Sequence, residues 1–191
     1  MRKQDIILAG VGGQGILSIA FVIDSAALRE GLFVKQAEVH GMAQRGGAVT
    51  SHLRLSRGRI WSDLIPRGAA DLIISVEPLE ALRYLDFLQP GGRVVTSSTP
   101  FVNIPDYPDK AALLARIKTI PGSVIVDSET LAKQAGSSRA QNTVMLGAAA
   151  RFLLPGEERL KESIRVLFEK RGDTILEANL KAFEAGKRAA A

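Results

Sequence analysis

A short apolar strand that runs into a glycine-rich turn constrains this chain more than any other feature. The run DIILAG at residues 5–10 is apolar and ends in glycine, which is typical of a buried strand. Gly10, Gly12 and Gly15 then form a G-x-G-x-x-G pattern. Helical spacing of apolar residues follows at 16–29. Because glycines let the backbone turn tightly and approach a phosphate, the sequence predicts a strand, a turn and a helix in the order that a dinucleotide site requires.

Two interpretations of this glycine turn stay open. An NAD or FAD site needs an acidic residue about 20 positions further on, where it holds a ribose hydroxyl. Glu38 lies 23 residues beyond Gly15, but the polar, glycine-rich segment after it is a poor match to a simple ribose clamp. In the other interpretation, the glycines serve only the close packing of helix on strand. Gln14 either directs its amide at a ligand, which we favour, or caps the turn.

A second glycine-rich segment, EVHGMAQRGGAVTSH at residues 38–52, separates two strand-like runs and is too polar for a core. It contributes three glycines and two hydrogen-bond donors, which are Gly41, Gly46, Gly47, Gln44 and Arg45. Since it follows the second strand, it would lie at a carboxyl end, beside the first glycine turn. Two such loops at one edge of a sheet predict a shared ligand or a surface that docks a partner.

Both histidines of the chain, His40 and His52, lie in this second segment. Two histidines without cysteine or a cluster of carboxylates make a poor metal site, so we expect no metal. His40 is interpreted as a loop residue that forms hydrogen bonds, and His52 as a strand residue. The serines lack a G-x-S-x-G elbow, so hydrolase chemistry has no support.

Strands and helices alternate along the chain. Strand-like runs occur at 32–39, 48–56, 71–76, 93–98 and 123–127, and helical runs at 77–88, at 110–118, from 128 onward and from 156 to the C-terminus. The sequence SRGR at 56–59 favours an antiparallel hairpin that leads into IWS. The alternation predicts a three-layer, Rossmann-like α/β fold with a mainly parallel sheet and C-terminal helices. Asn142, at the start of an apolar helix, is interpreted as an N-cap rather than as a contact to a partner subunit.

Length and composition restrict the classes of protein that remain. A chain of 191 residues is long enough for one core, and we expect a single domain over residues 1–191. The absence of cysteine excludes disulfides, thiolate-bound iron–sulfur clusters and a cysteine nucleophile on this chain. No apolar run approaches the roughly 20 residues of a membrane span, and the N-terminal run is too short for a signal peptide. We therefore expect a cytoplasmic protein with no membrane contact.

The positive charge of the chain is concentrated in one region. The formal net charge is +5, and residues 29–67 hold seven basic and three acidic side chains. Such a patch is suited to nucleic acid, a phosphorylated cofactor or an acidic partner surface. The alternative is scattered surface charge that only aids solubility. Nucleic acid is disfavoured because aromatic residues make up only 5% of the chain and no RNA-binding or helix-turn-helix pattern is present.

Three segments carry a resemblance to a known family. They are GVGGQGIL at 10–17, KQAEVHGMAQRGGAVTSHLRL at 35–55 and NTVMLGA at 142–148. Together they resemble the gamma-type subunit of the 2-oxoacid:ferredoxin oxidoreductases. The EVHGMAQRGG form of the second segment is typical of the indolepyruvate branch.

The resemblance implies oxidative decarboxylation of a 2-oxoacid, an aryl pyruvate in this branch, with coenzyme A, to give an acyl-CoA, carbon dioxide and reduced ferredoxin. It also implies that thiamine diphosphate and iron–sulfur clusters belong to a larger partner subunit and that this chain is inactive alone. The resemblance also implies that this chain helps to enclose coenzyme A. Arg45 and backbone N–H groups would then contact its phosphate oxygens. The candidate binding residues are Gly10, Gly12, Gly13, Gln14, Gly15, Glu38, His40, Gly41, Gln44, Arg45, Gly46 and Gly47.

Three classes of function therefore remain open. The chain is a non-redox subunit of a thiamine-dependent oxidoreductase, a free-standing oxidoreductase that binds NAD or FAD, or a structural assembly subunit whose glycine loop binds nothing.

Overall fold

The computed structural model describes residues 3–40 and 46–191. Within them the chain forms six strands and seven α-helices. The strands are β1 (Lys3–Val11), β2 (Phe33–His40), β3 (Ala48–Ser56), β4 (Ala70–Ser75), β5 (Leu88–Ser97) and β6 (Val124–Val126). The helices are α1 (Ile16–Arg29), α2 (Pro78–Arg83), α3 (Lys110–Lys118), α4 (Ser128–Gln134), α5 (Gln141–Ala149), α6 (Glu157–Phe168) and α7 (Asp173–Ala189). The predicted bounds of α1, β3 and α3 agree with the observed ones.

The six strands form one sheet in the order β2-β3-β1-β4-β5-β6. β1, β4, β5 and β6 pair in parallel. β3 is antiparallel to both of its neighbours, β1 and β2. All strands of the described sheet except β3 thus run in one direction, and the predicted mainly parallel sheet is confirmed.

Helices cover both faces of the sheet because its central strands are apolar on both sides. Ile6 and Leu8 of β1 belong to a core formed with α1, α5, α6 and α7. Ile7 and Ala9 face a second core, to which α2 and α3 contribute. This alternation along a single strand produces the predicted three layers.

Helices α5 and α7 approach each other through two glycines. A Cβ atom added at Gly147 would lie 2.0 Å from the carbonyl oxygen of Phe183, and one added at Gly186 would lie 1.9 Å from that of Val144. Side chains larger than hydrogen are therefore incompatible with this packing. The close approach buries every residue of α5 from Asn142 to Ala149.

The antiparallel hairpin occurs at a different place from the predicted one. It is formed by β2 and β3, and residues 57–69 contain no strand. The Arg54 guanidinium donates to the carbonyls of Ser62 and Leu64, at 3.1 and 3.0 Å. A side chain thus satisfies backbone acceptors that a second hairpin strand would have used.

Three other predicted boundaries are wrong. The segment QPGG lies within β5 rather than ending a helix, because Gly91 adopts a φ of +81° and the pairing of β4 with β5 shifts register there. The helix predicted at 77–88 ends at Arg83 and is followed by a short 3-10 turn. The C-terminal helix is divided into α6 and α7 at Gly172, whose φ is +100°.

Candidate ligand site at the carboxyl edge of the sheet

Two glycine-rich loops meet at the edge where β1 and β2 end. The first glycine loop is residues 12–15, between β1 and α1. Of the second, the structure describes Gly46 and Gly47, just before β3. The Gly12 N–H donates to the carbonyl of Gly47 at 2.8 Å, and the Gly46 N–H donates to the carbonyl of Gly12 at 3.3 Å. The predicted proximity of the two loops is confirmed.

The glycines in and just before the first glycine loop serve two different purposes. Gly10, at the end of β1, is needed for packing, since an added Cβ would lie 2.5 Å from the Val76 side chain. Gly13 and Gly15 have positive φ angles of +99° and +77°, a backbone conformation that residues with a side chain rarely adopt. A Cβ added at Gly13 would meet no atom within 4 Å. The loop is therefore packed on one side and open on the other.

Gln14 and Asn142 hold the first glycine loop in place. The Gln14 Oε1 atom accepts from the Val11 N–H at 2.8 Å, which is the turn-capping contact. A ligand role for the remaining amide group of Gln14 stays a prediction. The Asn142 Nδ2 atom donates to the carbonyl of Gly15 at 3.2 Å.

The N-cap interpretation of Asn142 is wrong. The N-cap of α5 is Ala140, and Asn142 is buried inside the first turn of the helix. The tight packing of α5 brings this residue against a loop that is 127 positions away in sequence. Helix periodicity carries no information about such a contact.

A third segment at this edge, residues 99–109 after β5, was not recognised as part of the site. Asn103 donates from Nδ2 to the carbonyl of Gly46 at 2.7 Å. Glu77, buried after β4, accepts from the Phe101 N–H at 3.3 Å and from the Tyr107 hydroxyl. The same carboxylate caps α2 by accepting from the Glu80 N–H. The proline-rich composition of this segment, directly after a parallel strand, was the available signal.

Burial controls the protonation of the groups below this segment. It raises the pKa of the Tyr107 hydroxyl, and the neighbouring Glu77 carboxylate raises it further, so Tyr107 remains a hydrogen-bond donor. Burial also raises the pKa of Glu80 to about 7, although Arg83, at 3.2 Å, opposes the shift. The 99–109 segment is therefore attached to Glu77 through Phe101 and Tyr107, and to Gly46 through Asn103.

Glu38 lies apart from the first glycine loop because β3 separates β2 from β1. Two strand spacings correspond to roughly 10 Å, whereas a ribose clamp projects from the strand next to the glycine turn. Glu38 instead lines a groove of about 660 Å³ along α1, together with Phe21 and Asp24. Burial, with a smaller contribution from Glu38, raises the pKa of Asp24 to about 7.

The remaining predicted residues are only partly covered by the structure. Gly41, Gln44 and Arg45 lie outside the described residues, as does the side chain of His40. His52 is confirmed as a strand residue; it is buried, and its Nδ1 accepts from the Ile65 N–H at 3.0 Å. Burial lowers the pKa of this imidazole.

The described residues contain neither a cluster of metal ligands nor a membrane-spanning helix. Among these residues, no three His, Cys, Asp or Glu side chains lie close enough to share a metal ion. No helix in the same part of the chain is long and apolar enough to span a membrane.

Comparison with known proteins defines the class. The model of the pyruvate ferredoxin/flavodoxin oxidoreductase family matches residues 5–189, and the chain belongs to this family. It is 37% identical over 202 residues to the indolepyruvate oxidoreductase subunit IorB of Thermococcus kodakarensis, which covers 100% of this chain and 97% of the relative. The subunit IorB of Archaeoglobus fulgidus is also 37% identical, over 96% of this chain and 94% of its own length. The predicted family and its indolepyruvate branch are confirmed.

Solved structures share the fold. The 2-oxoglutarate:ferredoxin oxidoreductase of Magnetococcus marinus, solved with 2-oxoglutarate, coenzyme A and succinyl-CoA bound, has a TM-score of 0.77 and 26% identity. The match covers 100% of this chain but only 31% of that one. The gamma subunit of a keto/oxoacid ferredoxin oxidoreductase from Geobacter sulfurreducens has a TM-score of 0.71 and 22% identity, with 98% of both chains covered. The predicted fold class is confirmed.

Proposed function

We propose that this chain is the small subunit of a thiamine-dependent 2-oxoacid:ferredoxin oxidoreductase that acts on indolepyruvate or another aryl pyruvate. The complex converts the 2-oxoacid and coenzyme A to an acyl-CoA and carbon dioxide and reduces ferredoxin. The observation that carries the proposal is the pair of hydrogen-bonded glycine loops, which is open to solvent at Gly13. The names of the relatives support the choice of substrate.

The work of the complex is divided between its subunits. This chain has no cysteine, so it lacks the thiolate ligands of iron–sulfur clusters. The proposal therefore assigns these clusters and thiamine diphosphate to a larger partner subunit, through which ferredoxin is reduced. This chain helps to bind coenzyme A, assembles with the partner in the cytoplasm and is inactive alone.

The residues around the first glycine loop suit a phosphate group of coenzyme A. The helix that follows, α1, presents first-turn N–H groups that have no partner within the helix, and that turn contains no acidic residue. The open side of Gly13 leaves room for the backbone to approach an anion. Arg45 supplies a guanidinium for the same phosphate oxygens. The relative from Magnetococcus marinus, solved with coenzyme A bound, supports this choice of ligand.

Co-purification from native extract tests the assignment as a subunit. We expect this chain to elute with a larger, cysteine-rich chain that carries iron–sulfur clusters, and only the complex to reduce ferredoxin with an aryl pyruvate. Reduction of NAD by the isolated chain with a hydroxyacid would contradict the proposal and favour a free-standing oxidoreductase. The position of β3 between β1 and β2 supports this choice over an NAD site, because Glu38 does not lie on the strand next to the glycine turn.

Titration of coenzyme A into the complex tests the ligand role. Replacing Arg45 with Ala should weaken binding by about tenfold to a hundredfold, which corresponds to the roughly 1.5–3 kcal/mol of a charge-assisted contact. The control is Arg116→Ala, which removes the same charge from an exposed position on α3. Equal affinities for both variants would remove Arg45 from the site.

A further inference from the structure

The single tryptophan of the chain is presented to solvent. Trp61 lies in the irregular segment after β3 and is 78% exposed. Leu64, in the same segment, is 52% exposed. Since tryptophan is enriched among the residues that dominate the binding energy of protein interfaces, an exposed tryptophan on a well-anchored segment indicates a docking surface.

A partly buried ion pair fixes the segment that carries Trp61. The Arg54 guanidinium binds the buried carboxylate of Asp5, with Nε to Oδ1 at 2.8 Å. Its Nη1 atom also donates to the carbonyls of Ser62 and Leu64, so one planar group ties the segment to β1 and β3. Trp61 is therefore exposed on a segment that hydrogen bonds hold in place.

Ile65 attaches the C-terminal end of this segment to the core. The buried His52 imidazole accepts from the Ile65 N–H at 3.0 Å, which attaches residue 65 to β3. The segment therefore leaves the sheet at Ser56, before Trp61, and is attached to it again at residues 62–65, directly after Trp61. Such pre-organisation reduces the entropy that binding a partner costs.

Exposed cations surround the tryptophan. The Arg59 guanidinium carbon lies 4.2 Å from the centroid of the Trp61 ring, and the Lys35 Nζ donates to the Trp61 carbonyl at 3.4 Å. A groove of about 270 Å³ beside the ring is lined in part by Lys3 and Arg59. Lys3, Lys35, Arg57, Arg59, Trp61 and Leu64 together are called the Trp61 surface below. Asp63 is the acidic neighbour within the exposed part of this segment.

The Trp61 surface lies at the opposite edge of the sheet from the glycine loops. β1 begins at Lys3 and ends at Val11, directly before the first glycine loop, and β3 ends at Ser56 beside Lys3. Nine residues of strand separate the two edges by roughly 26 Å. The glycine loops thus lie at the far end of the strands from this surface, so the proposed phosphate site does not explain its charge and its tryptophan.

We propose that the Trp61 surface docks an acidic face of the larger subunit, with the indole ring in an apolar pocket of that subunit. The inference rests on the proposed function for the existence of this subunit. Exposed basic side chains around one central aromatic residue match a negatively charged protein surface with an apolar centre. Nucleic acid fits less well, because single strands are bound on several stacked aromatic side chains.

Fluorescence of the single tryptophan tests the proposal in the assembled complex. The chain is produced with 5-hydroxytryptophan at position 61, whose emission can be excited apart from the partner's tryptophans. Acrylamide should quench the 5-hydroxytryptophan fluorescence of the free chain strongly and that of the complex several-fold less. Full quenching in an intact complex would overturn the inference while leaving the proposed function standing, and protection only by added nucleic acid would overturn it as well. Failure of the two chains to form a complex would contradict both this inference and the proposed function.

Charge reversal provides the matched measurement. Arg57→Glu with Arg59→Glu should weaken assembly at least tenfold and reduce its dependence on salt concentration. Arg116→Glu with Lys118→Glu reverses the same number of exposed charges on α3 and should leave assembly unchanged. Circular dichroism confirms that each variant is folded. Equal assembly by the two double variants would overturn the proposal.

Discussion

Asp24 is a carboxyl group that the fold holds in an unfavourable environment. Its Oδ1 atom is buried without a hydrogen-bond partner, and Glu38 lies near enough to repel its negative charge. These two causes, burial first, raise the pKa from an ordinary 3.8 to about 7. The folded protein therefore keeps a proton on Asp24 that the unfolded chain releases at lower pH.

This residue predicts a specific dependence of stability on pH. Because the folded pKa is raised, the stabilisation from the bound proton is complete below about pH 4 and is lost as the pH rises through about 7. Asp24→Asn should resemble the protonated state and should raise the free energy of unfolding at pH 8 by on the order of 2 kcal/mol. The gain should fade towards pH 4. Denaturant unfolding across this range measures it.

The control for this prediction is Asp106→Asn, at an exposed position of the 99–109 segment. Its unfolding curve should follow that of the wild type at every pH. Parallel pH profiles for Asp24→Asn and the wild type would contradict the account of Asp24. Glu80, whose pKa is also about 7, should leave part of the pH dependence in place in the Asp24 variant.

At the scale of elements, the contact of α5 with α7 depends on the absence of two side chains. Gly147→Ala or Gly186→Ala would normally stabilise a helix by up to about 1 kcal/mol. Here the added methyl group meets a backbone carbonyl at about 2 Å, so each variant should instead lose at least about 2 kcal/mol of unfolding free energy. Thermal or denaturant unfolding measures the sign of the change.

A third glycine provides the control for these two helix variants. An added Cβ at Gly156, before α6, would meet only the end of the flexible Glu30 side chain, at 3.3 Å. Gly156→Ala should therefore change stability little. Stabilisation by Gly147→Ala would show that the two helices are free to separate.

Local sequence patterns predict where helices and strands lie, but they do not predict which elements pack next to each other. The helix at 16–29 and the strand at 48–56 followed from periodicity, because one face of each is buried. The position of β3 between β1 and β2 did not, since strand order depends on contacts between distant residues. β5 continued through QPGG only because Gly91 allows a positive φ within a bulge. Sequence periodicity does not report any of these long-range choices.

The candidate site shows the same division. The two glycine loops were predicted together from their positions after strands, and the structure joins them. The contacts of Asn142 and Asn103 with these loops were not predicted, because helix α5 and the 99–109 segment reach them only in the folded chain. The sequence thus predicts the residues that form the loops but not the residues that support them.

For the molecule as a whole, two cores share one sheet. β1 contributes Ile6 and Leu8 to one core and Ile7 and Ala9 to the other, so neither core can lose its packing without affecting the other. We expect the single domain predicted over residues 1–191 to unfold in one cooperative transition, with an enthalpy of about 130 kcal/mol near 60 °C. Calorimetry should give equal calorimetric and van't Hoff enthalpies. Two resolved transitions would contradict the expected single domain.

The central claim is that two joined loops of this chain form one side of a coenzyme A site. Hydrogen exchange of the intact complex, with and without coenzyme A, tests it most directly. We predict that the ligand slows exchange of backbone amides in residues 12–15 and in the second glycine segment together, while α3 is unaffected. Saturation of the complex with coenzyme A without any change at either loop would contradict the claim.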